Sequence, residues 1–409
     1  MRQLSAVVLV LVAVSGSALA ETWSVPGDFA SLQAAVAAAG PGDTIRYSAV
    51  GVEQVTIAGK SGLTISGKGL LDGANTCLII SDSSSILVSG LIFDDAEEDA
   101  VRVIRSTDVQ FTKCTFQNGE ADAIHVEDSL RVSILKCQIH DFAGFGIHMP
   151  HVSGDTCDDC RIEGNTIHAC GEDGIQAPGT VGLVVLKNRI HSCGEDGIAF
   201  RADGGAVNAR VEMNTLDDLR GAGMVVGGTG ARILKNKVSR CDYVGIEVHG
   251  SDHRIEGNSI RTVGDDGISL IGDACEVVGN KISDIGWFYN GGFVTGAGVE
   301  VEGAGHWIEA NKIKGVRTAG VNIWDSTLNS VESNSISGSA LHGIIVEGGA
   351  NGVNGNKVTK AAGAGFLVDG IGNSLTGNSA KGSGDLDLRD IGSPGDNTYT
   401  DNSFGTSNL

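Results

Sequence analysis

The sequence is poor in proline, in aromatic side chains and in positive charge, and each shortage excludes something. Five Pro in 409 residues exclude a collagen or a proline-rich linker, even though the chain carries 61 Gly, because those classes need both residues together. Aromatics supply only 5% of the chain against 41% hydrophobic residues in all, so a core has to be built from small and branched aliphatic side chains. Twenty-nine Lys and Arg against 50 Asp and Glu leave a formal charge of -21, which repels phosphate backbones and excludes a nucleic-acid binder. Apolar runs of the roughly 20 residues needed to span a bilayer are also missing. The run from Ala6 to Val14 is too short for that role.

That run has another use. Arg2 precedes it and the small-x-small triplet Ala18-Leu19-Ala20 follows it, the order of a cleaved secretory leader. The expectation is a leader over residues 1–20, a mature chain from Glu21, and a secreted protein, extracellular or periplasmic, without a membrane span.

What the chain has in abundance is a repeat. An Asn-x-aliphatic triplet recurs at Asn165, Asn188, Asn214, Asn236, Asn258, Asn280, Asn311, Asn334, Asn356 and Asn378, mostly at steps of 22 or 23 residues, and Cys114 and Cys137 hold the same phase upstream. About eight residues after each triplet stands a second strand signal, as in Gly174-Ile175, Gly245-Ile246, Gly267-Ile268 and Gly298-Val299. Alternating apolar residues over a few positions, punctuated by Gly, Asn and Asp, are strand signals, with no helix-length pattern between them. One such unit cannot bury its own apolar face, so the units must stack.

Coils of this length with about three short strands resemble the right-handed parallel β-helix of pectate lyase-like proteins. The implied fold is all-β: a single-domain solenoid of about 14 coils with an N-terminal capping helix. Asp28 is the expected N-cap of that helix, followed by the Ala-rich segment 29–39 and the stop Gly40-Pro41. The expected division is 1–20 leader, 21–60 N-terminal cap and first coils, 61–380 β-helix repeats, and 381–409 last coil and C-terminal cap.

The Asn column reads as architecture, since Asn accepts left-handed turns and stacked amides hydrogen-bond along a rod. Cys114 and Cys137 share one column and Cys170 and Cys193 another, spaced for a buried thiol ladder or a disulfide. Cys157 and Cys160 lack the second pair of a zinc finger and are expected to form a local disulfide. Nine Cys leave at least one thiol free or intermolecular.

Insertions into a solenoid mark its working face. Three interrupt this repeat, at about 150–160, 202–207 and 286–293, and all flank the Gly-Ile strand. The last holds Trp287, Phe288, Tyr289 and Phe293, either a stacking platform for sugar rings or a satellite core beneath a long loop. Taking each Ile or Val of the Gly-Ile signal as inward, strand parity turns the residues one and three places later outward. Two polar clusters emerge on that face. One comprises Arg102, Asp122, His125, Glu127, His148 and His151. The other comprises Tyr243, Glu247, His249, Asp265, Asp266, Glu300, Glu302, Asn322 and Trp324.

Within the second cluster, Tyr243-Val244-Gly245-Ile246-Glu247-Val248-His249 resembles the Tyr-Gly-Phe/Ile-Asp-Pro-His strand motif of mannuronan C5-epimerases and related alginate lyases, departing from it at Val244, Glu247 and Val248 and in having Ile271 where the family has a further Asp. The resemblance implies that His249 and Tyr243 exchange a C5 proton. Gly264-Asp265-Asp266-Gly267 similarly resembles the paired-Asp box of polygalacturonases, whose other boxes find no match here. Gly-Glu-Asp-Gly-Ile recurs at 171–175 and 194–198, so Asp173 and Asp196 read as turn residues.

The expected function is action on a polysaccharide or other glycan. Catalytic roles fall to His249, Tyr243, Glu247, Asp266 and Glu300, and substrate contacts to Arg201, Trp287, Tyr289, Asn322 and Trp324. A Ca²⁺ at Asp265 and Glu302 would help to neutralise an anionic glycan. Lyase or C5-epimerase chemistry is the first reading. Paired carboxylates on neighbouring coils also suit glycoside hydrolysis, and a non-catalytic glycan-binding or surface protein would use the same fold. The chain is expected to be a monomer.

Overall fold

Branched residues at every second place, followed by a residue able to turn left-handed, give short strands joined by sharp corners. In the computed structural model of the chain, which describes residues 19–73, 75–150, 157–201, 205–286, 296–393 and 395–409, these strands stack into three parallel sheets of 17, 16 and 16 strands. That is a solenoid of about 16 turns, more than the expected 14. The additional turns lie toward the N-terminal end, where the Asn or Cys marker is missing: Ile92–Asp94, for example, pairs in register with Thr115–Gly119 but is preceded by Leu91.

The only helix among the described residues is Leu32–Ala38. It begins at Ser31, whose hydroxyl accepts the Ala34 N–H, and not at the expected Asp28, whose carboxylate accepts the Ser24 N–H in the preceding turn. Leu32, Ala35 and Val36 join the core. No described helix is long and apolar enough to cross a membrane. After Lys381 the chain continues the stack, with Leu388–Asp390, Thr398–Thr400 and Ser403–Phe404 each pairing onto the preceding coil.

The interior is a set of columns. Ile246, Ile268, Val299 and Val321 are fully buried one above another on the sheet that carries the Gly-Ile signal. Aromatic rings stack in these columns too, as Phe93 does on Phe116 at a centroid distance of 4.8 Å. The Asn column is a continuous amide ladder. Asn258 accepts the Asn236 N–H at 2.8 Å and its Nδ2 at 3.1 Å, and donates to the Ile233 carbonyl at 2.8 Å and to Asn280 Oδ1 at 3.0 Å.

The left-handed residue of that corner is not the Asn, as the sequence suggested, but the one before it. Met213, Lys235 and Ala310 have φ of 56°, 55° and 55°, and Gly257 has 65°. The division follows from chemistry, because the turn needs a backbone conformation while the ladder needs a side-chain amide aimed inward. A second buried ladder, invisible in the triplet, runs through Ser83, Ser106 and Ser129 and later through Asn329, Asn351 and Asn373.

All nine cysteines are buried free thiols. The local disulfide expected between Cys157 and Cys160 is therefore absent; their sulfurs turn inward to different carbonyls, Val126 at 3.4 Å and Asp158 at 3.6 Å.

Candidate functional site

The strand Ile246–Ser251 positions the centre of the site. Its alternation buries Ile246 and Val248 and leaves Glu247 and His249 half-exposed on the outer face. Two residues apart on one face, they meet: His249 Nε2 lies 2.5 Å from Glu247 Oε1. Register carries the face sideways. Glu247 is opposite Ser269, which is opposite Glu300, which is opposite Asn322, so the two glutamates are two strands and about 10 Å apart. His249 is likewise separated by Ile271 from the exposed Glu302.

Glu247 also lines a concavity together with Tyr243, Asp265, Arg201, Arg220, Glu195 and Asp196. Tyr243 stands on its rim, 63% exposed. Arg201, expected as a cation for the substrate, is held by carboxylates: its Nη2 is 3.0 Å from Glu195, 3.2 Å from Asp196 and 3.4 Å from Asp173. Arg220 makes no such ion pair among the described residues and is exposed. It was missed in the sequence because parity reads strand positions only, and Arg220 projects from the corner before the Met224–Thr229 strand.

The acids before the Gly-Ile signal have a structural duty. Each passes a hydrogen bond to the same position one coil on: Asp173 Oδ1 accepts the Asp196 N–H at 2.8 Å, Asp196 Oδ1 that of Ala222 at 2.7 Å, and Asp266 Oδ1 that of Ala297 at 2.7 Å. The turn reading of Asp173 and Asp196 describes this geometry, and Asp266, assigned to catalysis from sequence, shares it through one oxygen.

Burial beside the neighbouring Asp265 charge pushes the Asp266 carboxyl up to about 8. Burial raises Glu300 to about 7 against the opposing effect of Asn322, whose Nδ2 donates to both carboxylate oxygens at 2.8 and 3.0 Å, with the Glu302 charge raising it further. The Oδ1 of Asn322 is itself buried without a donor. Trp324, two residues on, is exposed on the same side.

These two acids hold protons in the fold that they would lose in the unfolded chain, where their ordinary values are 3.8 and 4.5. The stability they confer is thus whole below those values and lost as pH rises through about 7 and 8. Melting temperature is expected to fall between about pH 6 and pH 8, and the double substitution Asp266→Asn with Glu300→Gln is expected to flatten that decline. Asp173, raised to about 6 by burial and Asp196, is half titrated at the start of that interval and adds to the decline only near its acid end. Equal slopes in variant and parent would show that neither acid is protonated in the fold.

Asp265 and Glu302, the expected Ca²⁺ pair, both bring their charge to bear on Glu300. Among the described residues the only group of three or more His, Cys, Asp or Glu with ligand atoms close together lies elsewhere, at Asp122, His125 and His148. Neither residue of the expected Ca²⁺ pair belongs to that group. Trp287 and Tyr289 lie outside the described residues.

A family model described as a right handed beta helix region matches residues 51–215, 150–296 and 244–404. Among solved structures, the chain is similar to the A-module of mannuronan C-5 epimerase AlgE6 of Azotobacter vinelandii, with a TM-score of 0.56 and 16% identity over 88% of this chain and 99% of that one. It is also similar to the AlgE4 A-module of the same organism, with a TM-score of 0.52 and 17% identity over 91% and 95%. At these identities the likeness is one of fold. Comparison with curated proteins found no match.

Proposed function

The chain belongs to the right handed beta helix family, and from that premise we propose that it is a carbohydrate-active enzyme working on a polysaccharide through acid–base chemistry at His249, Glu247 and Tyr243. The observation that carries the reading is the Glu247–His249 contact of 2.5 Å at the edge of a concavity that Tyr243, Arg201 and Arg220 also line.

Removing a proton from the carbon beside a uronate carboxylate needs a base, an acid on the other side and a positive group against the developing charge. With the Nε2 hydrogen given to Glu247, His249 keeps its lone pair on Nδ1 and serves as the base, Glu247 orienting the ring. Tyr243, on the rim, returns a proton. Arg220 meets the substrate carboxylate, since Arg201 is already spent on Asp173, Glu195 and Asp196. Proton return to C5 gives epimerisation; loss of the O4 substituent gives an unsaturated end. The expected leader places this work outside the cytoplasm, with the monomer as the working form.

One observation favours a second reading. Glu300, raised to about 7, is protonated enough near neutrality to act as a general acid, and Glu247 lies about 10 Å away, near the upper end of the separation typical of inverting glycosidases.

A panel of uronate-containing and neutral glycans tests these readings. Formation of products absorbing as unsaturated uronates, or of a changed uronate ratio by NMR of the polymer, is the expected result. New reducing ends without unsaturation would replace it with hydrolysis. Binding without any turnover across the panel would reduce the protein to a glycan-binding solenoid.

A further inference from the structure

Away from this groove, the same sheet carries a second constellation that the proposed chemistry does not use. The strands Ile124–Glu127 and Ile147–His148 pair in register, His125 opposite His148, so their imidazoles stand side by side with ring centroids 4.9 Å apart. Asp122 reaches them from the corner before the first strand. Its Oδ1 is anchored by the Phe145 N–H at 2.9 Å, which leaves Oδ2 for the rings: His148 Nδ1 lies 2.7 Å from it and His125 Nδ1 3.3 Å. All three side chains are mostly shielded, with 11%, 15% and 18% exposure for Asp122, His125 and His148.

We infer that Asp122, His125 and His148 form a binding site for a divalent first-row transition ion. The donor set, two imidazoles and one carboxylate, is the one such ions take with positions left open for water or substrate. Spacing agrees with it. With metal–ligand bonds of 2.0–2.1 Å, neighbouring donors in an octahedral or tetrahedral sphere are about 2.8–3.4 Å apart; the His125 Nδ1–Oδ2 distance of 3.3 Å falls within that range and the His148 distance of 2.7 Å just short of it.

Charge agrees as well. Asp99 and Glu127 flank one cation, Arg102, whose guanidinium lies 3.6 Å and 3.8 Å from them, and Asp99 Oδ2 also lies 3.5 Å from His125 Nδ1, so carboxylates outnumber cations around the rings. The surplus of carboxylates suits a doubly charged ion. The Phe145 N–H on Asp122 Oδ1 is the kind of outer contact that fixes a ligand's direction, and the Phe145 ring, 4.4 Å from that of His148, holds the imidazole from the other side.

A different column, His140, His168 and His191, stacks its rings nearly parallel at 5.0 and 4.8 Å. Asp141 contacts only its first ring, at His140 Nδ1 and 2.7 Å, and among the described residues no three ligand atoms gather there, which makes it the internal control.

The experiment uses the untagged full chain after chelator treatment, titrated with Zn²⁺ by calorimetry and with Co²⁺ by visible absorption. One ion per chain is expected. His125→Ala and His148→Ala should each weaken binding by at least about 100-fold, and Asp122→Asn, which keeps an oxygen for the Phe145 N–H, should weaken it while the fold persists. His168→Ala should leave the affinity unchanged. No binding at one equivalent, binding insensitive to the three ligand substitutions, or loss upon His168→Ala would each overturn the assignment.

Discussion

His249→Ala is expected to lower kcat on a responsive polysaccharide by roughly 10²–10⁴-fold, the range over which a positioned acid or base contributes, with KM little altered. The reason is local. The imidazole is half-exposed on the outer face of a strand whose inward neighbours, Ile246 and Val248, carry the packing, so its loss removes a proton acceptor and little burial. Circular dichroism and melting temperature should therefore stay close to the parent. Glu247→Gln should have a smaller effect and shift the pH profile of kcat, because an amide can still hold the ring but no longer supports its positive charge. Tyr243→Phe, at a residue already 63% exposed, should lower turnover without changing the melt. Turnover unchanged in His249→Ala would remove this groove from consideration.

The largest structural effect is expected from Asn258→Ala. The substitution takes their side-chain partner from two buried groups, the Asn236 N–H and the Ile233 carbonyl, and leaves the Asn236 Nδ2 with one of its two acceptors, the Val211 carbonyl. At about 1–3 kcal/mol for each buried polar group left unsatisfied, the loss should be about 2 kcal/mol or more. Asn354→Ala, a half-buried residue whose side chain reaches only Glu332 at 3.5 Å, should cost less than about 0.5 kcal/mol. Chemical denaturation of both variants makes the comparison. Because each coil contacts only its neighbours, the Asn258 variant should also broaden or split the transition. A loss below about 1 kcal/mol would mean that the amide ladder is replaceable by water.

The two predictions draw on different layers of legibility. The outward placement of Glu247 and His249 could be read from the alternation of Ile246, Val248 and their neighbours, since a strand has a period of two and a fully buried side fixes the other. Asn258 could be placed in a column by its 22-residue spacing from Asn236 and Asn280. The mechanism of the corner could not, because the sequence does not say whether Asn serves by its backbone or its amide, and the structure assigns the left-handed φ to Gly257 and Lys235 instead.

Arg201 and Arg220 show the same limit at the site. One is outward by parity yet tied to three acids, and the other lies at a corner where parity does not apply. Opposite Glu302, on the preceding coil, stands Ile271 and not a further acid.

What the sequence determined by itself is the repeat, and with it the solenoid, its inward columns and the side of each strand that faces solvent. All of these follow from spacing along one chain and from the need of each coil to bury its apolar face against the next. What only the tertiary structure decided is which outward groups touch. That depends on corner geometry, on register across coils of unequal length, and on which charges have already found partners. The groove around Glu247 and the cluster at Asp122, His125 and His148 are therefore properties of the stack, where residues 22 to 31 positions apart become neighbours within hydrogen-bonding distance.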